Sequence, residues 1–174
     1  VRVSILMIAP QGLDILFSEE RLEQGRNFMN KLWNSARFIR MNLDEGLPEN
    51  LSALNDEKLD STDRWILSRL NNVIDAVDNA YSEYKMNEAI KKVYDFTRAD
   101  FCDWYIEFAK TRFYGDDAED RKTAQILSVH VIRIILKLLH PYSPFITEEL
   151  WASFKNPDEN LLISESWSES ESKR

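Results

Sequence analysis

The sequence predicts an all-α protein, an antiparallel helical bundle of four long helices plus a short fifth. Apolar residues recur at the three- and four-residue spacing of amphipathic helices through most of the 174-residue chain. Glycine and proline are scarce, at 4 and 5 residues, which argues against the many tight turns of a β architecture. The length is that of one domain with a buried core.

The first long helix is predicted from about Ser18 to Asn42. Ser18 is a candidate N-cap, and Glu19 and Glu20 follow it in the first turn, where the helix dipole favours acidic side chains. An acidic connector is expected over residues 44–60. The apolar face of the helix, which we expect to pack in the core, comprises Phe28, Leu32, Trp33, Ala36 and Ile39.

Three further long helices and the short one follow the connector. Their predicted ranges are about 61–81, 87–114, 118–140 and 144–154. The helix over 118–140 is apolar on almost every side near its end, so we expect it to be the central one. The aromatic residues of the preceding helix stand at helical spacing, so we expect most of them in the core: Phe96, Phe101, Trp104, Tyr105, Phe108, Phe113 and Tyr114.

The chain divides into three stretches. Residues 1–17 hold an apolar run broken at residues 10–12, and they read as the end of one element crossing into the next. Residues 18–155 form the helical domain. Residues 156–174 are a polar, Ser/Glu-rich and partly ordered tail, whose expected anchors are Leu161, Leu162, Ile163 and Trp167.

Charge is unevenly distributed along the chain. The net charge of −8 argues against a non-specific nucleic-acid binder. Residues 21–43, however, carry five basic side chains and one acidic one, whereas residues 44–63 carry seven acids and one lysine. A basic helix beside an acidic connector can bind a phosphate backbone locally while it repels other polyanions.

Nothing in the sequence indicates catalysis. Cys102 stands beside Asp103 rather than beside a base, so we expect a packed small residue. His130 and His140 are ten residues apart and miss the i, i+4 spacing of helical metal ligands. Asp103 and Glu107 share a helix face but read as solvated acids near a lysine. We therefore expect no catalytic residue, no metal ligand and no cofactor in this chain.

The sequence also indicates where the protein works. No run approaches the roughly 20 apolar residues of a membrane span, and no signal-peptide pattern is present. A single cysteine is consistent with a reducing cytosol. We therefore expect a cytoplasmic protein with no membrane partner.

A second face of the first helix carries the candidate binding site. Asn27, Lys31, Asn34 and Phe38 lie near one another there, away from the apolar face. Amide groups, a positive charge and an exposed ring are the groups that a single-stranded RNA loop requires.

Three motifs resemble those of the anticodon-binding domain of valyl-tRNA synthetases. They are residues 21–23 with 26–38, residues 101–107 and residues 138–151, and they occur in the right order over most of residues 20–154. The third is shared with isoleucyl, leucyl and methionyl relatives. The first two point to the valine enzyme in particular.

The resemblance implies a parent of the class I aminoacyl-tRNA synthetases, a ligase that joins valine to its tRNA using ATP with Mg²⁺. It implies a bundle of the class I anticodon-binding type, whose partners are the anticodon stem-loop of the tRNA and the remainder of the synthetase. Both catalytic signatures of the family are absent. We therefore expect this fragment to bind and not to aminoacylate, with residues 1–17 as the end of the linker from the catalytic core.

The resemblance also implies roles for residues of the first helix, which would lie along the anticodon loop. Phe38 is expected to stack on a base, and Asn27, Lys31 and Asn34 to make polar contacts. Arg21 and Arg26 are expected to hold phosphates.

Two alternatives remain open at this point. One is a helical bundle that binds basic protein partners through its acidic surface, which predicts no RNA binding that depends on anticodon letters. The other is the equivalent domain of an isoleucyl-tRNA synthetase, which would be expected to lack the Phe-Cys-Asp-Trp-Tyr stretch at 101–105.

Overall fold

The computed structural model describes residues 1–8, 19–44, 46–54 and 59–168, apart from the side chain of Arg21. The helices in chain order are α1 (Arg2–Ile8), α2 (Glu19–Met41), α3 (Ser61–Ser82), α4 (Met86–Asp95), α5 (Ile106–Phe113), α6 (Ala118–Leu139) and α7 (Pro144–Trp151). A π-helical segment, Phe96–Tyr105, joins α4 to α5 without a break, and 3₁₀ turns lie at Leu51–Ala53 and Leu162–Ser164.

The predicted all-α bundle is confirmed, and the described residues contain no strand. The four long helices are α2, α3, the continuous rod of α4, π segment and α5, and α6; the short fifth is α7. The predicted N-cap Ser18, the break at residues 10–12 and the last six residues of the tail lie outside the described residues.

Helix α6 occupies the centre of the bundle, as its apolar sequence predicts. Ile132, Ile135, Leu136 and Leu139 are completely buried, and α2, α3, α4 and α5 all pack on this helix. Its apolar side chains are buried on several sides, and removing them from water stabilises the fold.

Local interactions define where α3 begins and where it ends. The Asp60 carboxylate accepts a hydrogen bond from the Asp63 backbone N–H at 2.7 Å, and the Asp63 carboxylate accepts one from the Asp60 N–H at 3.3 Å, which makes a reciprocal capping box. At the other end Tyr84 adopts a left-handed conformation with φ 59°, and the Lys85 N–H reaches back to the Ala80 carbonyl at 2.8 Å. This tight turn lets α4 pack antiparallel against α3.

A buried ion-pair cluster ties three helices together. The Arg112 guanidinium on α5 donates to the Asp63 carboxylate on α3 at 2.5 Å and lies 2.7 Å from the Asp120 carboxylate on α6. Burial opposes the positive charge, but the hydrogen bonds to the two carboxylates outweigh it and raise the pKa of Arg112. The Asp63 side chain is completely buried, so its charge depends on this arginine.

The π-helical segment changes which aromatic residues reach the core. Phe96, Phe101, Tyr105 and Phe113 are buried as predicted, but Trp104 is 58% exposed and Phe108 is 45% exposed. Four of the seven aromatic side chains are thus in the core, which confirms the expectation for most of them; Trp104, Phe108 and the exposed Tyr114 are the exceptions. Wider i→i+5 turns rotate the side chains that follow relative to a regular α-helix, so the spacing that predicted burial no longer applies.

The tail packs on the bundle as far as it is described. Leu162 is buried, and the Trp167 indole N–H donates to the Asp78 carboxylate at 2.7 Å. Leu161 and Ile163 are exposed, so of the four expected anchors only Leu162 is buried and only Trp167 forms a hydrogen bond with the bundle. Over the described ranges, no helix combines the length and apolarity that crossing a membrane requires.

Candidate nucleic-acid interface

Helix α2 presents a polar face that its buried face holds in place. Phe28, Leu32 and Ile39 are buried in the core, while Asn27 and Asn34 are exposed on another side of the helix. The amide groups of these asparagines are therefore available to a ligand, as the sequence predicts.

Trp33 does not belong to the buried face, which corrects the sequence-based assignment. Its side chain is 41% exposed, although the preceding Leu32 is completely buried. Successive side chains of an α-helix point about 100° apart, so Trp33 lies at the edge of the apolar stripe, where no other helix covers it fully.

Lys31 connects α2 to the π segment. Its ammonium group pairs with the Asp103 carboxylate, and the lysine side chain is partly buried. An open groove of about 600 Å³ lies alongside, lined by Asn27 and Lys31 of α2 and by Tyr94 and Arg98 of the facing rod. The lysine therefore stands between a carboxylate and a polar groove that is large enough for a ligand.

Arg98 is a candidate contact that sequence reasoning missed. It is exposed and lines the same groove as Lys31, from which it is far removed in sequence. No local pattern links the two residues, because only the packing of the π segment against α2 brings them together. The groove thus has a cation on each of its two walls, and Glu20 and Glu23 of α2 also line it, so its charges are mixed.

Phe38 is partly buried rather than an exposed ring, which corrects a second expectation. Its ring centroid lies 5.7 Å from that of Phe113, and the Lys110 ammonium group is 5.6 Å from the Phe38 centroid. Lys110 is itself bonded to the Glu107 carboxylate at 2.6 Å. These contacts fix the ring's orientation and leave only part of it open to a ligand.

Of the two arginines expected to hold phosphates, the structure describes the side chain of Arg26 alone. Arg26 is exposed and donates to the Glu23 carboxylate at 3.2 Å. It lines a separate groove of about 620 Å³ between α1, α2 and the start of α7. Arg21 lies on α2, but its side chain is outside the described part of the chain.

Cys102 lies buried behind the interface and is not a nucleophile. The Ser35 hydroxyl donates to its sulfur at 3.2 Å, and burial raises the pKa of the thiol to about 11. The expectation of a packed small residue is confirmed.

The other titratable candidates are also accounted for. Burial lowers the pKa of His130 to about 4, so this imidazole is neutral at physiological pH. Asp103 pairs with Lys31 and Glu107 with Lys110, so each of these two carboxylates forms an ion pair with a lysine. Among the described residues, no group of three His, Cys, Asp or Glu side chains is placed to hold a metal ion.

The geometry supports binding of a polar ligand. Exposed amides can bond to base edges, two cations flank a groove, and an oriented aromatic ring stands at one end of the helix face. Nothing in this arrangement activates a nucleophile or a water molecule.

Comparison with known proteins gives consistent results. The family model described as the anticodon-binding domain of tRNA ligase matches residues 63–174. The chain is 40% identical over 171 residues to a valine–tRNA ligase of Fusobacterium nucleatum subsp. nucleatum, covering 95% of this chain and 19% of the relative. It is 43% identical over 163 residues to that of Syntrophotalea carbinolica, covering 94% of this chain and 18% of the relative.

A valine–tRNA ligase of Synechocystis sp. is 44% identical over 172 residues, covering 92% of this chain and 19% of the relative. The chain thus spans about a fifth of the length of these curated relatives. The equivalent domain of an isoleucine enzyme is accordingly not favoured over that of a valine enzyme.

A solved structure has the same fold. The LeuRS chain in the ternary complex of Agrobacterium radiobacter K84 agnB2 LeuRS, tRNA and LeuAMS superposes with a TM-score of 0.72. The match covers 97% of this chain and 19% of the LeuRS chain, at 19% sequence identity.

Proposed function

Because this chain belongs to the family of anticodon-binding domains of tRNA ligases, we propose that its bundle binds the anticodon stem-loop of a valine tRNA. It would do so as one domain of a valine–tRNA ligase, the activity that the names of its relatives give. The observation that carries the proposal is the polar face of α2, where exposed amides and a partly open ring accompany a polar groove that contains Lys31 and Arg98.

The parts of that face have distinct roles in the proposal. Asn27 and Asn34 hydrogen-bond to the edges of unpaired bases, which carry the sequence information in an RNA loop. Lys31 and Arg98, on the two walls of the groove, neutralise backbone phosphates. One base stacks on the exposed part of the Phe38 ring, whose orientation is fixed by its contacts with Phe113 and Lys110.

The partners of the parent enzyme follow from the same proposal. The remainder of the ligase would supply the site where ATP with Mg²⁺ activates valine, in the cytoplasm. Binding of tRNA is therefore the part of the reaction that we assign to this chain.

The direct test is titration of this chain with a valine tRNA stem-loop and with the same loop carrying altered second and third anticodon letters. Binding should be selective for the valine loop and should weaken between about 50 and 200 mM salt, because phosphate contacts release counterions. Equal binding to all loops, or none at low salt, would contradict the proposal and favour the protein-binding alternative.

Variants locate the interface. Phe38→Leu keeps the packing volume against Phe113 but removes the aromatic ring, and should cost roughly 1–3 kcal/mol of binding free energy. Lys31→Met should lower the slope of log affinity against log salt by about one. Asn72→Ala, which changes an exposed asparagine on α3, is the control and should bind as the unaltered chain does.

A further inference from the structure

An exposed aromatic pair on the rod has no role in the function proposed above. The rings of Trp104 and Phe108 stack on each other, with centroids 6.0 Å apart and planes inclined by 26°. Both remain about half exposed on the outer surface of the π segment and α5. Large rings left in water forgo the stabilisation that burial would give, so a contiguous exposed pair indicates a binding surface.

A groove beside the pair has the shape and chemistry to receive a flat ring. It measures about 390 Å³ and is lined by Asp100, Trp104 and Phe108 of the rod and by Trp65, Thr62 and Ser61 of α3. Aromatic faces therefore line both walls, and two hydroxyl groups lie at one end. Aromatic walls with a few polar groups are typical of sites that bind an unpaired base.

The start of α3 at this groove does not offer a phosphate site. The Asp60 carboxylate already accepts the Asp63 N–H at the helix N-terminus, in the capping box described above. A second anion there would be repelled by this carboxylate. The groove therefore selects the uncharged base of a nucleotide rather than its phosphate.

The rod that carries the aromatic pair also contacts the polar face of α2. Asp103, which precedes Trp104, pairs with Lys31 of α2. Lys110, two residues after Phe108, lies over the Phe38 ring. The carboxylates around the pair are matched by cations, since Asp100 is likewise bonded to Arg69 at 2.8 Å. An RNA loop on α2 would therefore meet the pair without crossing an unpaired acidic patch.

We propose that Trp104 and Phe108 form a second stacking platform, which holds an unpaired base of the anticodon loop next to the bases that α2 contacts. This inference rests on the proposed function of the chain as an anticodon stem-loop binder. Because every base has a π face, stacking tolerates any base. The platform therefore supplies affinity and positions the loop, and it does not read an anticodon letter.

The test compares Trp104→Leu and Phe108→Leu with the control Trp33→Leu. Trp33 is also an exposed tryptophan, but it lies on α2, away from the polar face of that helix. Trp104→Leu should weaken binding about 5- to 150-fold, and by the same factor for the valine loop and for loops with altered anticodon letters. Phe108→Leu should show a smaller loss of the same kind, and Trp33→Leu no loss.

Stem-loops that lack one base at a time identify the stacked nucleotide. Removing that base should weaken binding to the unaltered chain but cause no further loss in Trp104→Leu, whereas removal elsewhere should weaken both alike. Unchanged binding by both Trp104→Leu and Phe108→Leu, while the unaltered chain binds selectively, would overturn the platform alone. Failure of the unaltered chain to bind any loop would overturn the proposed function and the platform together.

Discussion

At the scale of the residue, burial decides which side chains are available for chemistry. Asn27 and Asn34 are exposed and can bond to a ligand, whereas Cys102 is buried beneath α2 with its thiol held by Ser35. Phe38 lies between these extremes, because Phe113 and Lys110 cover part of its ring. Its packing therefore orients the ring before any ligand arrives.

The buried thiol gives a direct prediction. Because burial raises the pKa of Cys102 to about 11, very little thiolate exists at pH 8, and iodoacetamide should react at least about a hundredfold more slowly than with an unfolded thiol. The chain contains one cysteine, so mass spectrometry of the alkylated protein reports this site alone. The same protein in urea is the control, and equal rates in both states would contradict the burial of this thiol.

At the scale of the element, two local devices determine what the helices present. The capping box of Asp60 and Asp63 starts α3 at the aromatic groove. The π segment turns Trp104 and Phe108 outwards, while it keeps Phe101 and Tyr105 buried. The interface is thus shaped by how a helix begins and by a local change in its winding.

Removal of the α3 cap should lower stability. Asp60→Ala leaves the Asp63 N–H without its side-chain acceptor and should reduce the free energy of unfolding by about 0.5–2 kcal/mol, measured by urea denaturation. Asp60→Asn keeps an acceptor and should be nearly neutral. Asp75→Ala removes the same charge from the exposed middle of α3 and should change stability by less than ~0.5 kcal/mol; an equal loss in both alanine variants would rule out the cap as the cause.

At the scale of the whole molecule, the cluster around Arg112 joins helices that are distant in sequence. It holds α3, α5 and α6 through Asp63 and Asp120. Helix α5 also carries Lys110, which covers Phe38, and Phe108 of the aromatic pair. The same cluster therefore stabilises the fold and positions the outer surface of the rod.

Arg112→Met should be strongly destabilising, by about 3–5 kcal/mol at pH 7, because it leaves the Asp63 carboxylate buried without its partner. Burial raises the pKa of Asp63, and Arg112 opposes that shift. When the pKa of an acid is higher in the folded state than in the unfolded state, the protein becomes less stable as the pH rises through that pKa. The stability that Arg112→Met loses relative to the unaltered chain should therefore shrink as the pH falls from 7 towards 4.5.

Urea denaturation at both pH values measures this effect. Arg69→Met, which breaks the more exposed pair with Asp100, is the matched control and should cost no more than ~1 kcal/mol. A loss in Arg112→Met that is equally small would show that Asp63 does not depend on the arginine.

The fold could be predicted largely from the sequence because the helices follow an unbroken pattern of apolar spacing. The bounds of α2, α3 and α6 agree with the predictions to within a residue or two, and α6 is central because it is apolar on several sides. The site was predicted less completely. Asn27 and Asn34 are exposed as expected, but Arg98 has no local pattern that ties it to α2.

The sequence by itself determined the four long helices and the short fifth, their order and the polar side of α2, since these depend on spacing within one segment; helix α1 was not predicted. Only the tertiary structure decided that Trp33, Trp104 and Phe108 are exposed and that Phe38 is partly covered. The exposure of a side chain depends on which distant helix packs beside it and on the local winding of its own helix. Neither is recorded in the spacing of residues along one element.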